Sequence, residues 1–161
     1  VIEDKFAAPM PDLAIAGVEI VADVEPFEEA KIRILNGGHT GLAYLGALAG
    51  HQTFDQAMRD PDLCLHFDRF EVSEVLPGLG DTIPFDTARY LAEISRRFEN
   101  QGIADNLERF CMDGYSKMAI YVKPTLEACL QMGITPDAGF DTVASWIVYA
   151  RTCESGQCAM P

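Results

Sequence analysis

From residue 31 to residue 39 the chain reads Lys-Ile-Arg-Ile-Leu-Asn-Gly-Gly-His, which puts a cation, an amide and an imidazole within nine residues. Each of these types does recognisable chemistry. A lysine amine takes or gives a proton. An asparagine amide donates to a developing oxyanion. A histidine holds or orients a hydroxyl. The stretch lies in a segment of helical periodicity running from about Pro26 to Gly50. At roughly 100° per residue, Asn36 falls about 140° and His39 about 80° round the helix from Lys31, so the three fit on one broad face. Gly37 and Gly38 remove side chains between Asn36 and His39, which lets a ligand or another backbone approach closely. With Gly41 and Gly46 they weaken the helix by about 1 kcal/mol each relative to alanine. A packing or ligand reason for them is therefore expected.

The elements that position these residues are mostly helices. Residues 1–25 differ from the rest. Pro9 and Pro11 break any helix there, Val18-Glu19-Ile20-Val21 reads as a short strand, and Val1-Ile2 as another strand end. From Pro26 the apolar series Phe27, Ile34, Leu35, Leu42, Leu45 and Ala49 runs to a stop at Gly50. Thr53 caps a short helix through Met58. Pro61 opens another that carries Leu63, Phe67, Phe70 and Val75 and ends near Leu76-Pro77-Gly78. Pro84 starts a helix whose apolar face is Ala88, Leu91, Ile94 and Phe98. Further helices are expected over residues 103–112, up to Val122, from Pro124 to Gly133, and over residues 136–152 with Val143, Trp146, Ile147 and Ala150 inward. The expected fold class is mainly α, a multi-helix domain over residues 26–161, preceded by a short β-containing segment at residues 1–25.

Composition sets outer bounds. At 161 residues the chain is one domain by length. A net charge of −13 argues against a nucleic-acid partner, because phosphate binding needs clustered Lys and Arg. No apolar run approaches a membrane span, and no signal-peptide pattern is present. The five cysteines are an odd number without a CxxC pair, which fits reduced thiols in a cytoplasmic protein better than a disulfide framework. They also lack any spacing to His39 that would build a catalytic zinc site, so no metal is expected. The opening Val1-Ile2-Glu3-Asp4 has no methionine and begins in mid-pattern, as a piece of a longer chain would.

Several segments, in order, resemble the mannitol dehydrogenase family of polyol-specific long-chain dehydrogenases and reductases. They are Lys31-x-Arg33-x-x-Asn36-x-x-His39 with Leu42-Ala43-Tyr44-Leu45-Gly46, then Arg97-Phe98-Glu99-Asn100 and Ile103-Ala104-Asp105, then Asp113-Gly114-x-x-Lys117 with Lys123-Pro124-Thr125-Leu126. Val1-Ile2-Glu3-Asp4 is similar to the segment near the end of the family's nucleotide-binding domain, and Asp23-Val24-Glu25-Pro26-Phe27 to its approach to the catalytic helix. The resemblance implies a C-terminal substrate domain, with residues 1–25 a remnant of a Rossmann domain that lies upstream. By the same resemblance Lys31 is the general base in alcohol oxidation and the acid in ketone reduction. Asn36 belongs to the oxyanion site, His39 orients substrate, and Arg109 and Lys117 form a basic pair in the substrate site. Asp113 and Gly114 shape the turn that presents Lys117. Tyr115-Ser116 stands where relatives often have Ser-Gln, a departure that bears on the substrate and not on the reaction class.

The implied cofactor is NAD or NADP, with NAD the expected one. Its glycine-rich loop is not in these residues, since neither Gly37-Gly38 nor Gly78-x-Gly80 follows a strand in a βαβ unit. The implied partners are a small polyol or ketose and the upstream Rossmann domain, and the piece alone is expected to be inactive. For Lys31 to act as a base it must be neutral, which requires burial or neighbouring cations to lower an amine that ordinarily titrates near 10.4. Two rival readings stay open. One is a hexuronate reductase, whose carboxylate substrate would suit Arg109 and Lys117. The other is a non-catalytic helical interaction module, because a single exposed lysine, histidine or arginine is ordinarily a surface or structural residue.

Overall fold

The computed structural model describes residues 1–156; Cys158 and the rest of the closing stretch lie outside the described residues. The β-containing start is present. Ile2–Glu3 (β1) and Ile20–Val21 (β2) pair in parallel, with Ile2 opposite Ile20 and Glu3 opposite Val21. After it the described residues form helices joined by turns and loops, with one isolated bridge between Thr53 and Asn106. The helices are α1 (Glu25–Ala30), α2 (Gly37–Leu48), α3 (Phe54–Arg59), α4 (Pro61–Asp68), α5 (Leu76–Leu79), α6 (Thr87–Phe98), α7 (Leu107–Phe110), α8 (Gly114–Lys117), α9 (Lys123–Gln131) and α10 (Asp137–Glu154). No described helix is long and apolar enough to cross a membrane.

The departure from expectation is the π geometry. Lys31–Asn36, Arg69–Val75 and Met118–Val122 are π-helical. The first joins α1 to α2 in one continuous rod, and the second joins α4 to α5 across Leu76 and Pro77, where a helix end was expected. The third joins α8 to α9. Runs of this kind are rare in proteins and concentrate at functional sites. Here the segment at residues 31–36 packs against both of the others.

Helix α2 is the axis of the domain, with α3, α4, α7 and α10 packed around it. Its glycines are explained by that packing. A Cβ on Gly38 would stand 2.5 Å from Glu71 Oε1 and 2.9 Å from the Phe67 ring. One on Gly46 would stand 2.8 Å from Leu107 Cδ1. Gly37 and Gly41 also face neighbouring elements, the Tyr121 carbonyl at 3.3 Å and Thr142 Oγ1 at 3.2 Å. Of the two reasons offered by the sequence, the close approach of other protein groups accounts for them.

Several boundaries shift for local reasons. Helix α6 begins at Thr87 and not at Pro84, because the Asp86 side chain caps it by accepting from the Arg89 N–H at 2.9 Å. The helix expected over residues 103–112 shrinks to α7. Ala104 takes a left-handed φ of 44°, and Asn106 caps the next turn by accepting from the Arg109 N–H at 3.2 Å. In α10 the buried face is Ala138, Thr142, Ser145, Tyr149 and Cys153, while Ile147 is 43% exposed. Cys64, Cys111 and Cys129 are free thiols, but Cys153 is disulfide-bonded, so the expectation of reduced thiols throughout does not hold.

Candidate active site

Lys31 opens the first π segment and Asn36 closes it. The Gly37 N–H donates to the Ile32 carbonyl, five residues back. In a turn of that width, residues five apart come nearly one above the other. Asn36 therefore lies closer over Lys31 than the roughly 140° that α-helical spacing gives. Lys31 is exposed and Asn36 partly buried. The Asn36 carbonyl accepts from Thr40 Oγ1 at 2.7 Å, which ties the end of the π segment into α2.

His39 follows one turn later, among phenylalanines. Phe98 lies 4.1 Å from its ring at 32°, Phe110 4.5 Å at 25°, and Phe54 closes the edge at 4.9 Å and 71°. Two rings so nearly parallel to the imidazole and so close cannot share one of its faces, so Phe98 and Phe110 sandwich it. Burial therefore holds the His39 pKa far down, at about 3. The charges of Arg97, Lys117 and Lys31 push the same way, against a hydrogen bond to the Leu35 carbonyl. The imidazole is neutral. A neutral imidazole has one N–H donor and one acceptor nitrogen.

The cage is assembled from separate segments by backbone bonds. The Phe54 N–H donates to the Asp105 carbonyl at 3.1 Å and the Leu107 N–H to the Gln52 carbonyl at 2.9 Å. This bridge holds the start of α3 against the start of α7 and so brings Phe54 and Phe110 to the same ring. Tyr44 Oη, on α2, donates to the Cys111 carbonyl at 3.1 Å and fixes the turn after α7.

That turn presents Lys117. Asp113 takes a left-handed φ of 56°, Ser116 Oγ donates to Asp113 Oδ1 at 3.0 Å, and Gly114 leaves no room for a Cβ against Trp146 and Tyr44. Lys117 Nζ donates to the Phe110 carbonyl at 2.6 Å and stands 5.8 Å over the Phe110 ring. Burial lowers its pKa, the charge of Arg109 adds to this, and Cys111 and Asp113 oppose it. Arg109 is further out. Its side chain is 68% exposed, 3.9 Å from Asp105, with the guanidinium 5.0 Å over Phe110. An exposed pair of that kind contributes little.

The charges of Lys31 and Lys117 thus both act on His39, Asn36 closes the π segment that Lys31 opens, and Arg109 acts on Lys117 and stands over Phe110. The aromatic cage had not been picked out from the sequence. Arg-Phe pairs at residues 97–98 and 109–110 each contribute a ring to it, but the same pair at residues 69–70 does not, so the pairing was no signal. A buried polar layer behind the rod was also missed. Arg33, 3% exposed, donates from Nε to Thr125 Oγ1 at 2.8 Å. Glu71 is fully buried with neither oxygen hydrogen-bonded, and burial raises its pKa well above the usual carboxylate range. A cavity of about 470 Å³ lined by Gly50, His51, Gln52, Asn106 and Tyr149 contains none of the candidate side chains.

Residues 23–159 match the profile of the mannitol dehydrogenase C-terminal domain. The chain is 42% identical over 138 residues to a D-arabinitol 4-dehydrogenase of Ralstonia nicotianae, covering 86% of this chain and 30% of that protein. It is 36% identical over 156 residues to the D-arabinitol 4-dehydrogenase of Klebsiella pneumoniae, covering 97% and 34%. A solved structure of Pseudomonas fluorescens mannitol 2-dehydrogenase, a ternary complex with NAD and D-mannitol, superposes with a TM-score of 0.84 at 37% identity, covering 91% of this chain and 30% of that one. The chain thus spans about a third of the length of the curated relatives it matches. By profile, sequence and fold together, this chain belongs to the mannitol dehydrogenase family and corresponds to its C-terminal domain.

Proposed function

We propose that this chain is the substrate half of an NAD(P)-dependent polyol dehydrogenase. It would oxidise a secondary alcohol of a sugar alcohol such as mannitol or arabinitol to a ketose, and catalyse the reverse reduction. The observation that carries the reading is the placing of Lys31 and Asn36 by one π turn beside a neutral, caged His39, with Lys117 and Arg109 at the rim. In this reading residues 1–25 are the tail of an upstream Rossmann domain and residues 26–161 the substrate domain. The described residues contain no glycine-rich strand–helix turn, so the dinucleotide, NAD rather than NADP, would be held by that upstream domain. Bound there, its nicotinamide supplies the hydride acceptor. The domain alone would be inactive, and the enzyme cytoplasmic.

The residues of this chain handle the proton and the hydroxyls. Lys31 takes the proton of the reacting hydroxyl, which a neutral amine does and an ammonium does not. The Asn36 amide donates to the oxygen as it gains negative charge; loss of one such donor typically costs about 10²–10³ in kcat. His39 accepts from a neighbouring hydroxyl, and Lys117 and Arg109 donate to others.

A substrate panel on this chain joined to its nucleotide-binding domain tests the reading. Mannitol, arabinitol, sorbitol and fructuronate are compared with each nucleotide. Turnover of a neutral polyol with NAD is expected. Preference for fructuronate would favour the hexuronate reductase instead, which the cations around His39 also suit, and absence of turnover with every substrate would favour a binding module.

A further inference from the structure

We propose that Arg33 is a positioning residue of this reaction: anchored on Thr125, it holds the π segment Lys31–Asn36 at the rotation that sets Asn36 and Lys31 together on one reacting hydroxyl. The inference rests on the polyol dehydrogenase reading and deepens it.

Runs of π geometry are rare. The surroundings of this one must keep it from settling into α spacing, which would carry Asn36 about 140° round from Lys31. Arg33 stands inside the segment, between Lys31 and Asn36, and is buried. The three nitrogens of its guanidinium meet three different helices. Nε donates to Thr125 Oγ1 of α9 at 2.8 Å. Nη1 donates to Glu29 Oε1 of α1 at 3.4 Å. Nη2 lies against α5, where a Cβ on Gly78 would stand 2.7 Å from it, so a side chain at that position would displace the fork.

Of these contacts the bond to Thr125 is the anchor. The ion pair to Glu29 is long and half open to water, so it contributes little. Thr125 is fully buried, and a hydrogen bond from a charged donor is stronger in such a setting than at the surface. The helix that carries Thr125 also meets the end of the π segment. Helix α9 continues directly from Met118–Val122. The Tyr121 carbonyl there would stand 3.3 Å from a Cβ on Gly37, the residue after Asn36. One continuous helical unit thus grips the segment at its middle, through Arg33, and at its end, through Gly37. Two such points fix how the segment is turned about its axis. Phe70 and Glu71 of the second π segment meet Gly37 and Gly38 and leave no slack there. The buried guanidinium touches no substrate and acts through the backbone that it holds.

Arg33→Met would leave the buried Glu71 without the cation whose charge acts on it, and risks unfolding the domain. The test therefore changes the anchor. Thr125→Val removes the acceptor and keeps nearly the same shape, and Thr125→Ser keeps the hydroxyl. Both are made in this chain joined to its nucleotide-binding domain, with kcat taken per folded enzyme well below Tm. Thr125→Val should lower kcat for polyol oxidation about tenfold to a hundredfold, the scale of a misplacement of about 1 Å. Both KM values should stay at wild type, as for an interaction realised only in the transition state. Thr125→Ser should recover most of the kcat. With wild type active, an unchanged kcat in Thr125→Val overturns this inference alone, whether or not Tm falls. So does an equal kcat loss in Thr125→Ser, because the hydroxyl would then not be what matters. No turnover of any polyol by wild type overturns the functional reading, and this inference with it.

Discussion

His39 shows what a single residue owes to its surroundings. A free imidazole titrates near 6.5, yet three phenylalanines and three cations hold this one down to about 3. Its folded-state pKa lies below its unfolded one. The stability it contributes is therefore fully present above about pH 6.5 and is lost as pH falls from there toward about 3. In 13C-histidine NMR, the His39 ring signal, assigned with His39→Gln, should stay flat from pH 8 to pH 5. Phe98→Leu should move its titration back up toward the ordinary range. A wild-type midpoint near pH 6.5 would contradict the cage. The types and spacing of Lys31, Asn36 and His39 were legible in the sequence, and so was the turn at Asp113-Gly114. The cage was not, because its rings come from α3, α6 and α7 and meet only when the chain is folded. Burial of Arg33 and Glu71 was hidden for the same reason, since nothing local separates a buried charge from a solvated one.

At the scale of elements, helix existence was legible and helix geometry was not. Apolar spacing marked a helix from about Pro26 to Gly50; the rod runs from Glu25 to Leu48, and Gly50 follows it with a left-handed φ of 88°. A π turn widens the spacing for only one or two turns, too briefly to alter a periodicity read over a longer window. Its effect is nonetheless large, because it sets how Asn36 stands over Lys31. The ends of α6 and α7 were missed because side-chain caps at Asp86 and Asn106 override the proline and apolar signals nearby. The glycines of α2 are the place to test the packing. Gly38→Ala pushes a methyl group into Glu71 and Phe67, both buried and unable to swing away. It should destabilise the domain by about 1–3 kcal/mol, the usual range for overpacking, read as a lower urea midpoint at constant slope. A midpoint equal to wild type would mean that the helix has slack there, and the ligand explanation for the glycine pair would regain its force.

At the scale of the whole molecule, the cations of the candidate site stand out against a net charge of −13. Lys31, Arg97 and Lys117 have no ion-pair partner among the described residues, and all three act on His39. Cations without carboxylate partners suit one wall of a cleft whose other wall is the upstream domain proposed above. The central claim is that Lys31 is the proton-transfer group. The most direct measurement is kcat for polyol oxidation by Lys31→Ala, in the chain joined to its nucleotide-binding domain, with and without a small primary amine in solution. The loss should be about 10²–10⁴-fold, the range for a general base, and added amine should restore part of it in a pH-dependent way. Activity in Lys31→Ala equal to wild type would contradict the account.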